Sequence, residues 1–126
     1  MEKGLLNSDK ELLLKDLCSR LPYKVKASYH GAEEECECWD EVEGIVNDYV
    51  EIGQYSLPIE AVKPYLFPFT SMTEEQKAEL SMLVVGVGDV FKSFLIEVEF
   101  YHKHHIDYRG LIPMGLALDA TGLNIY

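Results

Sequence analysis

The stretch from Val46 to Pro64, VNDYVEIGQYSLPIEAVKP, decides the fold. Asn47-Asp48 and Gly53-Gln54 are turn pairs, because Asn, Asp and Gly accept the backbone angles a tight reversal needs. Tyr49 to Ile52 and Tyr55 to Ile59 are short runs of β-branched and aromatic residues, so each reads as a strand. Strands joined by two-residue turns run antiparallel. Pro58 lacks an N–H for a ladder and belongs on an edge. Ile59 to Pro64 reads as a short helical turn that closes the sheet on itself.

Working towards the N-terminus, Cys36 to Val46 is a further strand, with a parity slip near Trp39 that suggests a bulge. Tyr23 to Tyr29 alternates: Tyr23, Val25, Ala27 and Tyr29 share one face, and Lys24, Lys26 and Ser28 the other. Four short strands form a meander that curls into a small barrel or covers its apolar face with a helix. A helix precedes it. Ser8-Asp9-Lys10-Glu11 reads as a capping box, with Leu6 as a staple. Leu13, Leu14, Leu17 and Leu21 recur at helical spacing, Cys18 beside them, until Pro22 stops the helix.

Towards the C-terminus, Ser71-Met72-Thr73-Glu74 reads as a second capping box opening a helix to about Val85. Leu80, Leu83, Val84 and Val87 mark its expected buried side. Gly86-Val87-Gly88 breaks it, and Asp89 can cap a third helix. There Val90, Phe91, Phe94, Leu95, Val98, Tyr101, His102 and His105 form the strongest periodic signal in the chain. The fold class that follows is α+β: an N-terminal helix, a small curled antiparallel sheet of four or five strands resembling an SH3-like barrel, two C-terminal helices and an ordered tail. It reads as a single domain, residues 1–126, with helix and β-meander in 1–70 and helices and tail in 71–126.

The totals narrow the function classes. The chain has 126 residues, 48% apolar and 26% charged, an ordinary globular composition. Its net charge is −11, from 22 acids against 11 bases. That argues against nucleic acid and anionic membrane as partners, since both need basic patches. The first residues carry no signal-peptide pattern, and no window approaches the roughly 18 apolar residues of a membrane span. Three cysteines, Cys18, Cys36 and Cys38, make no disulfide framework. The setting these features suggest is a reducing cytoplasm.

Candidate chemistry gathers in His102 to Leu118, HKHHIDYRGLIPMGLAL. On a helix His102 and His105 share a face and, with Asp107, could hold a metal; alternatively both histidines continue the apolar stripe and answer the helix dipole. His104 should point towards the Glu97 side and be solvated. Arg109, followed by Gly110, would either pin the tail to a buried acid or recognise an external carboxylate or phosphate. Cys36-Glu37-Cys38 puts two thiols on one strand face and with Cys18 could bind a soft metal, although buried thiols are the ordinary reading. Residues 33 to 43 carry seven acids in eleven positions around Trp39: a solvated face, or an acidic surface that imitates DNA and occupies a basic protein. Tyr65, Phe67 and Phe69 either seal the sheet against a helix or form an exposed partner site. Gly86-x-Gly88 lacks a nucleotide fingerprint, and no nucleophile elbow, His-Glu-x-x-His or Cys-x-x-Cys is present. No cofactor is implied.

The phrases KDLCSRLPYKVK (15–26), IEAVKPYLFP (59–68), SMTEEQ (71–76) and HIDYRGLIP (105–113) occur in this order. On them the chain resembles a family of small uncharacterised proteins from gut Bacteroidetes and their phages and mobile elements. The resemblance implies a cytoplasmic accessory protein and carries no activity and no catalytic residue. Three functions stay open. The first is a non-enzymatic protein-interaction module from a phage or mobile element. The second is a metal- or small-ligand-binding protein using His102, His105 and Asp107. The third is an acidic inhibitor of a basic host protein.

Overall fold

A computed structural model of the chain describes residues 7–29 and 38–126. The elements are α1 (Asn7–Arg20), β1 (Lys26–Tyr29), β2 (Cys38–Val46), β3 (Tyr49–Ile52), β4 (Tyr55–Pro58), β5 (Val62–Pro68), α2 (Glu74–Val84), α3 (Val90–Lys103), β6 (Ile106–Asp107) and β7 (Leu118–Asp119). The class is α+β. The strands lie in the order β4-β3-β2-β1-β5-β6, with β7 also on β5. The first five pair antiparallel, whereas β6 and β7 pair parallel with β5, so the sheet is mixed. Among the described residues no pairing closes the strand path into a barrel.

Turn chemistry places the meander. Asn47 takes a positive φ of 56° between β2 and β3, and Gly53 one of 61° between β3 and β4. Gly53 is further constrained because a Cβ there would lie 2.5 Å from the Tyr29 hydroxyl. Pro58 sits on β4, the edge strand, where no ladder N–H is missed. Between β4 and β5 the chain makes a 3₁₀ turn, Ile59–Ala61, with Ile59 buried. The register shift in β2 falls between Val42 and Gly44 rather than near Trp39. Gly44 has no side chain to hold a strict alternation there.

Other boundaries move for local reasons. Ser8 lies inside α1, not at its cap, and Leu6 falls outside the described residues. After α1 a 3₁₀ turn holds Leu21–Tyr23 and Lys24 goes left-handed (φ 62°), so β1 begins only at Lys26. In α2 the cap is Thr73, whose side chain accepts from Gln76 N while the Gln76 side chain accepts from Thr73 N, two residues later than the Ser71 box expected.

The core joins α1 to the sheet through Leu13, Leu17, Val25, Ala27, Val42, Val50, Ile52, Val62 and Leu66. From the tail, Leu111, Leu116 and Ala117 complete it. The two helices expected to bury an apolar side do not do so. No residue of α2 is buried, and in α3 only Phe100 and His102 are. The helical hairpin is attached to the body at the C-terminal end of α3. No helix among the described residues is long and apolar enough to cross a membrane.

Candidate interaction site

The attachment of α3 is a buried polar knot. On α1, Leu13, Asp16, Leu17 and Arg20 lie at i, i+3, i+4 and i+7, one helical face, and all are buried. Arg20 is fully enclosed. Its Nε donates to Asp16 Oδ2 at 2.8 Å, its Nη2 to the Ile106 carbonyl at 2.7 Å and its Nη1 to the Tyr101 carbonyl at 3.3 Å. Arg109 Nε donates to the other oxygen, Asp16 Oδ1, at 3.0 Å. One carboxylate therefore holds two guanidinium groups, one from its own helix and one from the tail. Both flank the Tyr108 ring, at 5.7 Å for Arg20 and 5.0 Å for Arg109. Tyr108 OH hydrogen-bonds His102 Nε2 at 2.7 Å. Burial, then the Arg20 charge, lowers the His102 pKa and so favours the neutral ring. Burial raises that of Tyr108.

His102, His105 and Asp107, the set that could hold a metal, point to separate partners; among the described residues no group of three His, Cys, Asp or Glu is placed to hold one. α3 ends at Lys103, and His105 turns left-handed at φ 59°, so the i,i+3 relation that would align the two rings is broken. His102 faces Tyr108, whereas His105 stacks on Tyr126 with centroids 3.7 Å apart. Asp107 spends both oxygens on the tail, accepting from Leu111 N and Ile112 N at 2.8 Å each. It is the buried cap of the turn that follows β6. Asp107→Asn is expected to lower unfolding free energy by roughly 1–2 kcal/mol in urea denaturation, since one of those N–H groups loses its acceptor. His104, expected in solvent, is half-buried with its ring 4.4 Å from Phe100, and burial lowers its pKa.

The aromatic candidates divide. Tyr65 and Phe67 lie in β5 and are partly buried. Phe67 packs on Tyr126 at 5.8 Å, and Tyr126 OH donates to the Tyr65 carbonyl at 2.7 Å. Phe69 is half-exposed, edge-on to Tyr101 at 5.3 Å. Trp39 is also half-exposed and carries the Lys26 ammonium 5.3 Å above its ring. Of the acidic run, residues 33–37 lie outside the described part, as does Cys36, so the expected thiol pair cannot be placed. Cys18, expected among buried apolar residues, is exposed.

No family model, curated protein or solved structure matches this chain. Function has to be read from the surface itself.

The largest departure from expectation lies on that surface. On α3, Val90 is 82% exposed, Phe91 80%, Leu95 65% and Phe94 58%. Phe91, Phe94, Val98 and Tyr101 recur at spacings of three and four, the seam of a helix that packs on another helix, and Val90 and Leu95 widen it. Nearer the base of the helix, Val98 and Tyr101 are half-buried, Tyr101 against Phe69 and Tyr108, and α3 touches both α1 and α2. Clefts of about 460 and 480 Å³ flank the α2–α3 contact, lined from α3 by Ile96, Glu97, Glu99, Phe100, Tyr101 and Lys103. Met82 and Val85 add exposed apolar area on α2 and at the hairpin tip. This side-chain pattern was legible; its lack of a cover among the described residues was not.

Proposed function

We propose that this protein is a non-enzymatic protein-interaction module whose docking surface is the apolar face of α3. One observation carries the reading: the first half of the chain's strongest helical periodicity, Val90, Phe91, Phe94 and Leu95, is spent on solvent-exposed residues. Counting roughly 150–200 Å² for a full-size apolar side chain, Val90, Phe91, Phe94 and Leu95 expose on the order of 500 Å². That is at the upper end of the apolar patches monomers carry, roughly 300–600 Å², and such patches mark interaction sites. The polar knot supports the same reading. It spends Asp16, Arg20, Arg109 and Asp107 on one another and on backbone groups, which fixes the base of α3 and engages these charges internally.

The finer architecture belongs to this proposal. The order β4-β3-β2-β1-β5 and the 3₁₀ turn before β5 favour a sheet curled in the SH3-like manner, with α3 presented outside it. An origin in phages or mobile elements of gut Bacteroidetes, in the cytoplasm, fits the sequence resemblance.

A photo-cross-linking residue placed at Phe91 is expected to capture a protein in expressing cells, whereas the same residue at exposed Lys63 on β5 is not. Equal capture at both positions, or none at Phe91, would overturn the reading.

A further inference from the structure

We infer that the occupant of the α3 face is a second copy of this chain, packed antiparallel across a two-fold axis; this rests on the docking role proposed above. Area is the first argument. A standard interface buries about 800 Å² per partner, of which about 60% is apolar, so the roughly 500 Å² offered by α3 matches the apolar share of a stable dimer. Charge is the second. The chain carries −11, which drives copies apart, but the segment from Val90 to Val98 holds one Lys and one Glu and is neutral. Two copies can meet there without bringing their acidic surfaces together. Pattern is the third. Antiparallel alignment of two α3 helices sets Phe91 against Phe94 of the other copy and Val90 against Leu95, all four exposed. A two-fold axis makes each of these pairs twice.

Sedimentation of the full chain over a concentration series tests this. A species of twice the 14.4 kDa chain mass is expected. Phe94→Glu should weaken association roughly 30-fold or more, as for a central interface residue, with an unchanged circular dichroism spectrum. Leu95→Lys repeats the test if that variant does not fold. A dimer indifferent to Phe94→Glu and Leu95→Lys overturns the packing. A chain that stays monomeric at every concentration overturns the second copy. If Phe91 then cross-links to a different protein, the docking reading stands without it; if Phe91 captures nothing, both fall.

Discussion

Asp16→Ala is expected to destabilise the fold by about 3–5 kcal/mol, the usual consequence of removing one partner from a buried ion pair. Asp16 and Arg20 side chains have no exposed surface, and Arg109 is four-fifths buried. Without the carboxylate, Arg20 keeps only the carbonyls of Tyr101 and Ile106, and its charge is left in a dry site. A domain of this size has about 5–15 kcal/mol in total, so urea denaturation should show a large fall in midpoint. Removing the charges together should hurt less, because the penalty comes from stranding one of them. Asp16→Leu/Arg20→Met is expected to be more stable than Asp16→Ala. Equal loss in both variants would mean that packing volume, not charge pairing, holds α1 to the tail.

Acidification should act through His105. Its ring is buried against Tyr126, and Nδ1 has no hydrogen-bond partner among the described residues. Burial, reinforced by the charges of Arg20, His104 and Lys26, brings its pKa down to about 4. An unfolded histidine titrates near 6.5, so between roughly pH 6.5 and 4 the unfolded chain takes up a proton that the folded chain refuses. The stability contributed by the neutral ring is complete above about pH 6.5 and is lost as the pH falls towards 4, a change on the order of 3 kcal/mol. His105→Asn tolerates the left-handed backbone and binds no proton in this range. Its stability should therefore fall less steeply than that of the native chain across the window. Parallel curves would show that His105 is not buried neutral.

Much of the sheet is legible in the sequence because turn residues mark strand ends. Asn47-Asp48 and Gly53-Gln54 sit where β2, β3 and β4 reverse, and Pro58 sits on the edge. β6 and β7 are not legible, since two residues show no alternation and their pairing is with distant β5. The partner of Arg109 lies 93 residues away. Asp16 and Arg20 were nevertheless visible in principle: a charged pair at i,i+4 on the face that holds Leu13 and Leu17 must be buried with them. The histidine pair misled because a helical spacing holds only while the helix continues, and His105 lies beyond its end. For α3, periodicity identifies the helix and its apolar side. It does not say whether the residues that cover that side belong to the same chain.

The most direct measurement of the central claim is the unfolding free energy of Phe91→Glu/Phe94→Glu, taken in urea at concentrations where both it and the native chain sediment as monomers. If this face of α3 is a surface, the expected change is within about 1 kcal/mol, the range of surface substitutions. If the two rings instead belong to the core, two buried carboxylates would cost well over 4 kcal/mol, and that result would contradict the account.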